Sequence, residues 1–237
     1  MIPPMTFDLT PELEALVRDA RQRSAARIAP AAAEIDSSGL IPADVLAEAT
    51  HVVDWTRSAL AAVLALEELA AASGSVAAAV ALGAAVDRDG LMGLRGVARA
   101  AAPTEQQYLG IAAVCLGLGR RATTEALARL RKHGDRPSGE PEDAPHWVLA
   151  DAATELEAAR LFVLASAQPG GPGAAGALVF AGTAAAKAVE AALRIVGPEA
   201  FTRGAALERC GRDVRAALLI LGTEDEARRR AADRLLG

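Results

Sequence analysis

A high alanine content combined with a scarcity of strand formers constrains this 237-residue chain more than any single motif. Hydrophobic residues make up 52% of it, but aromatics only 3%. Alanine is the largest part of the apolar fraction, and alanine is the best helix former, whereas β-branched and aromatic residues favour strands. The balance predicts an all-α protein whose small side chains let helices pack closely. The length allows one large domain or two small ones.

Punctuation along the chain divides it into helices. Thr10-Pro11-Glu12 is a helix start, with a capping residue, a proline at the first helical position and an acid in the first turn. This helix runs toward Ile28, and Ser37-Ser38-Gly39 breaks the pattern. Pro42 opens a short helix, 59–72 is another, and Ser73-Gly74-Ser75 separates it from the next. Thr104 and Gln107 have capping-box spacing, and no proline follows until 137, so one helix of roughly 40 Å is predicted from there to about 132. The segments 133–145 and 168–176 read as Gly/Pro-rich loops. Leu149, Ala152, Leu156, Ala159 and Val163 mark an amphipathic helix, and Leu178, Gly182, Ala185, Val189, Ala192 and Val196 mark the next, which Gly197-Pro198 ends. The last two helices are expected over 207–221 and 223–236, with a capping box formed by Thr223 and Glu226. Two helical regions result, 1–99 and 104–237, packed either as one body or as two lobes.

Charge and special residues remove several function classes. The net charge is −5, and the one dense basic run, Arg228-Arg229-Arg230, follows three acids, so it reads as the outer face of a terminal helix rather than a nucleic-acid site. Cys115 and Cys210 form no CxxC and have no histidine at ligand spacing, so they read as buried free thiols, with no metal site. His51, His133 and His146 lack a paired nucleophile. No signal peptide opens the chain, and the apolar stretch 70–86 is too weak for a membrane span. The expectation is a soluble cytoplasmic protein that binds neither nucleic acid nor membrane.

Several stretches together resemble the acyl-CoA dehydrogenase family. Ala150-Asp151-Ala152-Ala153-Thr154-Glu155-Leu156-Glu157-Ala158-Ala159-Arg160 is similar to the family's LADMATELEAAR. The helix centred on Lys187 is similar to the next one. Arg212-Asp213, followed by Gly222-Thr223, resembles the closing RDA…YEGT pattern, and Arg131-Lys132-His133-Gly134-Asp135-Arg136-Pro137 stands where the family has RKQFGKP. Phe7-Asp8-Leu9-Thr10-Pro11-Glu12, Ile28-Ala29-Pro30, Glu34-Ile35-Asp36 and Glu67-Glu68-Leu69 resemble the first helical domain. The resemblance implies an N-terminal helical region over 1–99 and a C-terminal four-helix bundle over 104–237. Near Ala101-Ala102-Pro103 the β-rich middle domain, which in the family holds the flavin, is missing.

The resemblance also implies oxidoreductase chemistry: proton abstraction alpha to a thioester and hydride transfer to FAD. The proton step needs a carboxylate at the alpha carbon. The family position for that glutamate is Leu221 here, which leaves no catalytic residue there. The alternative family position falls near Gln107. Glu105 is a nearby substitute, but two residues along a helix turn a side chain by about 200°. Of the flavin-contacting residues the resemblance implies, Arg131, Gly222 and Thr223 survive. The family's GGxG run is replaced by Gly197-Pro198-Glu199-Ala200-Phe201, in which proline and glutamate obstruct close approach. The expected chain is a pseudoenzyme-like partner subunit that carries no FAD when alone. It would be a homodimer or an oligomer with a full-length acyl-CoA dehydrogenase. A flavin- or acyl-CoA-binding enzyme with a replaced base, and a structural scaffold, are the alternatives.

Overall fold

The computed structural model describes residues 9–83, 92–100, 102–133 and 144–237. Phe7, Asp8, Ala101 and most of the 133–145 loop, including Gly134, Asp135, Arg136 and Pro137, lie outside these. The described residues form α1 (Pro11–Arg23), α2 (Ala32–Ser38), α3 (Ala43–His51), α4 (Ala59–Ala72), α5 (Gly74–Leu82), α6 (Glu105–His133), α7 (Ala144–Ser166), α8 (Ala174–Val196), α9 (Ala206–Ala217) and α10 (Glu224–Leu236). No strand occurs among them, as the alanine-rich composition predicts.

Local chemistry sets most boundaries. The Thr10 hydroxyl accepts from the Leu13 amide and caps α1. α1 does not run straight to Ile28: Ser24–Ile28 widens into a π-helical turn and Ala29–Ala31 tightens into a 3₁₀ turn. Pro30 explains the interruption, because it has no amide hydrogen to donate back along the helix. Gly39 ends α2 in the left-handed conformation, at φ 69°. Ser73 serves two helices: its amide closes α4 on the Leu69 carbonyl, and its hydroxyl accepts from the Val76 amide to start α5. α9 ends at Ala217, four residues before the expected 221, and 218–222 form hydrogen-bonded turns. The apolar pattern continues past the helix end because Ile220 and Leu221 remain buried in a turn.

α6 is the axis of the molecule. At 29 residues it is about 43 Å long. It packs on α4 and α5 on one side and on α7, α8 and α9 on the other. α6, α7, α8 and α9 make the C-terminal four-helix bundle, and α10 lies against α8. Leu149, Ala152, Leu156, Ala159 and Val163 all face the core, as their spacing predicts. Small residues at the crossings permit close approach. A Cβ at Gly117 of α6 would lie 2.4 Å from the Glu67 carbonyl oxygen of α4, so the two backbones touch there. The helical stretch Ala174–Phe201 is long and apolar enough to cross a membrane, but 56% of its most apolar window is buried in the bundle, as expected of a core helix.

α4 is buried along 61–70, and in the middle of it stand two carboxylates, Glu67 (2% exposed) and Glu68 (5%). Buried carboxylates need paired charge. Arg21 of α1 grips Glu68 with two hydrogen bonds, at 3.1 and 3.0 Å. Arg120 of α6 reaches Glu68 at 2.6 Å and Glu67 at 3.1 Å. Arg160 of α7 donates to Glu67 at 2.9 Å. Burial pushes the Glu68 carboxyl upward, but hydrogen bonds and charge from Arg21 and Arg120 outweigh this and hold it below its ordinary value. Four helices are thus joined through one charged cluster. Replacing Arg120 with methionine keeps the apolar stem and removes the shared cation. Each glutamate then retains one guanidinium, so R120M is expected to destabilise the protein by about 2–4 kcal/mol in urea unfolding at neutral pH, with R120K recovering part of the loss.

Candidate functional site

The site is assembled where the chain crosses from α5 to α6. Gly93 and Leu94 are pressed onto α9, and a Cβ at Gly93 would sit 2.2 Å from the Arg212 carbonyl oxygen. Leu94 is fully buried in the left-handed region at φ 50°, a strained conformation for a residue with a branched side chain. Asp213 holds it there, because its Oδ1 accepts from the Leu94 amide at 2.6 Å. Burial pushes the Asp213 carboxyl up to about 6, against the Leu94 hydrogen bond and the charge of Arg212. Arg212 binds Asp36 of α2 at 2.9 and 2.8 Å, Glu208 at 2.6 and 2.8 Å, and the Met92 carbonyl at 2.7 Å. The Ala100 amide then donates to the Ile220 carbonyl at 3.2 Å, which fixes the crossover to the turn between α9 and α10.

Two capping boxes complete the frame. The Thr104 amide donates to Gln107 Oε1 at 3.0 Å and the Gln107 amide to Thr104 Oγ1 at 3.2 Å. The free amide of Gln107 donates to the Leu82 carbonyl at 3.1 Å and so links α6 to the end of α5. The Thr223 amide donates to Glu226 Oε2 at 2.6 Å and the Glu226 amide to Thr223 Oγ1 at 3.2 Å. The Thr223 backbone and hydroxyl hydrogen bonds hold the Glu226 carboxyl below its ordinary range.

Between these caps lies an open groove of about 650 Å³, lined by Arg99, Ala100, Pro103, Tyr108, Leu221, Gly222, Glu226, Arg229, Arg230 and Asp233. Leu221 is 5% exposed and forms part of its apolar floor beside Tyr108. Arg230 stands 5.3 Å over the Tyr108 ring and binds Glu105 at 3.0 Å. Glu105 is therefore tied to a guanidinium and does not line the groove. Arg228-Arg229-Arg230 is exposed, as the sequence predicts, but two of its three members face this groove rather than bulk solvent alone. The spacing of the run could have shown this: 229 and 230 lie six and seven residues beyond Thr223, about two helical turns from the cap.

The residues that the family resemblance implies for flavin contact do not converge in one chain. Gly222 lines the groove, with φ 122°, and a Cβ there would meet Glu226 Oε2 at 2.6 Å. Thr223 is an exposed cap. Arg131 is exposed near the far end of α6, 23 residues from Tyr108, so roughly 35 Å away. A site using both ends requires a second chain. Gly197–Phe201 is a 3₁₀ turn whose Glu199 binds Arg129 at 3.1 Å. A glutamate there opposes a diphosphate, and Pro198 leaves no amide to bind one. The residues present do not form a flavin cradle within a single chain, and no chemical step is derived through that cofactor.

Other candidates occupy structural positions. Cys115 and Cys210 are buried free thiols, each pushed up to about 12 chiefly by desolvation, so they are inert as nucleophiles. His51 and His146 are exposed. No cluster of three or more metal-ligating residues occurs among the described residues. Lys187 binds Glu155 at 2.7 Å and links α8 to α7.

Among the described residues, helices packed around α6, without a strand and with the groove beside the 92–100 crossover, define an acyl-CoA dehydrogenase-type helical fold. The family model for the acyl-CoA dehydrogenase C-terminal domain matches residues 95–236, and the chain belongs to that family. It is 38% identical over 138 residues to a 3-sulfinopropanoyl-CoA desulfinase of Paraburkholderia xenovorans, covering 55% of this chain and 35% of the relative. It is 35% identical over 150 residues to the Variovorax paradoxus protein of the same name, covering 60% and 37%. The chain thus spans little more than a third of the length of these relatives. Butyryl-CoA dehydrogenase from Megasphaera elsdenii superposes with a TM-score of 0.80 at 16% identity, covering 98% of this chain and 100% of that one. A glutaryl-coenzyme A dehydrogenase in complex with glutaryl-CoA gives 0.79 at 15%, covering 98% and 97%. At that identity these structures establish the fold alone.

The clamp on Leu94 has a pH signature. Asp213 has a folded value of about 6, above the ordinary aspartate value of 3.8, so between these values the folded state binds more proton than the unfolded state. Its contribution therefore falls as pH rises through this window and is present in full below it. Relative to D213N, the wild-type protein is expected to gain about 2 kcal/mol of unfolding free energy between pH 6 and pH 4. Denaturant titrations of both proteins at several pH values check this, and parallel curves would mean that Asp213 does not titrate in that window.

Proposed function

We propose that this chain is a non-catalytic helical partner of a full-length member of the acyl-CoA dehydrogenase family. The observation that carries the reading is Leu221. It occupies the position that the family resemblance assigns to the proton acceptor, it is apolar and buried, and it looks onto the groove. Two of the nearby carboxylates are engaged elsewhere, Glu105 with Arg230 and Glu226 with the Thr223 cap, and the third, Asp233, stands on α10 among the groove's arginines. Neither Glu105 nor Glu226 can take an alpha proton without giving up its partner. Helical packing and capping are intact, while the residues that would hold a flavin are spread over opposite ends of α6. This separation favours a chain that contributes a surface to another subunit. In such an assembly the exposed side of α8, which carries Phe180, Thr183, Lys187 and Glu190, supplies a rigid face, and the flavin and the base belong to the partner.

A second reading is favoured by the names of the similar proteins. A desulfinase cleaves a carbon–sulfur bond, a different task from abstracting a proton alpha to a thioester, so Leu221 does not exclude it. On that reading the chain binds an acyl-CoA with a sulfinate-bearing acyl group and uses a base other than the family glutamate. The spectrum of the purified protein separates the two. The partner reading expects a colourless protein that stays colourless after incubation with FAD, and that co-purifies with a co-expressed full-length relative in a flavin-containing complex. A stoichiometric flavin spectrum on the isolated chain, or sulfite release from 3-sulfinopropanoyl-CoA, would defeat it and establish the enzyme reading.

A further inference from the structure

The groove carries charge that its place in the fold does not require. Arg99 and Arg229 form no ion pair with any of the described residues. The carboxylate whose titration they influence is Glu226, whose oxygen is already occupied by the Thr223 amide at 2.6 Å and hydroxyl at 3.0 Å. Arg230 adds a third guanidinium, shared with Glu105 and stacked over Tyr108. Asp233 is the remaining acidic residue of the lining, so the described lining has three cations against two anions, one of the latter consumed in a cap. Ala100, Pro103, Leu221 and Tyr108 form the apolar part of the same surface. Where the family resemblance implies an acyl chain meeting a single glutamate, this chain presents guanidinium groups beside an apolar floor.

We propose that the groove between α10 and the residues Arg99, Ala100 and Pro103 binds a small amphipathic organic anion. Its oxyanion head lies between Arg99 and Arg229, and its short apolar body rests on Leu221 and the Tyr108 ring. Guanidinium groups recognise carboxylate and phosphate heads alike through paired N–H donors. A groove of about 650 Å³ falls within the usual range for small-ligand sites. The apolar floor selects against inorganic anions, because a bare phosphate leaves Leu221 and Pro103 uncovered. The site needs neither a flavin nor a partner chain, so it stands apart from the partner reading.

The test uses 8-anilinonaphthalene-1-sulfonate, itself an amphipathic organic anion, as a fluorescent probe of the full chain. Binding with enhanced fluorescence is expected, with displacement by hexanoate or hexyl phosphate, the better competitor identifying the head group. Inorganic phosphate and 1-hexanol should each displace far less, since each lacks one half of the ligand. R99A/R229A should bind the probe at least about tenfold more weakly. R228A, on the same helix but paired with Glu224 and Asp225 outside the groove, should stay within about twofold. Because a lost fold would also lose the probe, R99K/R229K serves as the second variant and should retain most of the binding. Equal affinity in the wild type and R99A/R229A, displacement by 1-hexanol as effective as by hexanoate, or no probe binding would each overturn the proposal.

Discussion

The charged cluster at the centre of α4 is the interaction on which the rest of the structure depends. Glu67 and Glu68 lie in a stretch that is otherwise alanine, leucine and valine, and both are almost fully buried. Two adjacent residues on a helix point about 100° apart. The pair therefore faces two directions at once and recruits Arg21 of α1, Arg120 of α6 and Arg160 of α7. Apolar packing alone, in a core so rich in alanine, would leave helix register loosely specified, because small flat side chains interdigitate poorly. A buried salt bridge adds little net stability against an apolar alternative but penalises every arrangement that separates it. In this protein the cluster fixes how the N-terminal helices sit on the bundle.

A second clamp follows from that register. Arg212 and Asp213 are neighbours on α9 with opposite environments. Arg212 reaches outward to Asp36 and Glu208, while Asp213 points inward to the strained amide of Leu94. Together they press the 92–97 segment onto the bundle and deliver the crossover to the turn before α10. The groove exists because of this delivery: it is the space left between Ala100 and Pro103 on one side and α10 on the other. Its floor is Leu221, a residue that would be unremarked in any other helical protein. Where the family resemblance implies a carboxylate, a leucine changes the floor from a proton acceptor into an apolar surface.

Much of the helical layout was legible in the sequence because it rests on local chemistry. Thr10-Pro11, Ser73, Thr104 with Gln107, and Thr223 with Glu226 each act within a few residues of themselves, and each stands in the structure as its spacing predicts. The misjudged boundaries are those where a tertiary demand overrides local pattern. Pro30 turns the end of the first helical stretch into π and 3₁₀ turns. The apolar run after Ala217 leaves the helix yet stays buried because the crossover bonds to Ile220. The groove was less legible. Arg229 and Arg230 read as a solvated helix face, and only the approach of the crossover carrying Arg99 turns that face into one wall of a cavity.

The sequence by itself determined the class of fold and put a leucine at the position that the family resemblance assigns to the base, because helix propensity, capping and side-chain chemistry are properties of short stretches of chain. Tertiary structure decided which charges meet. Arg120 pairs with Glu67 and Glu68 across more than fifty residues, Arg212 meets Asp36 across 176, and Arg131 is parted from Gly222 by the length of α6. No local rule specifies these distances, since Coulombic and hydrogen-bond energies depend on separation in space and the chain reaches that separation only once its alanine-rich helices have packed.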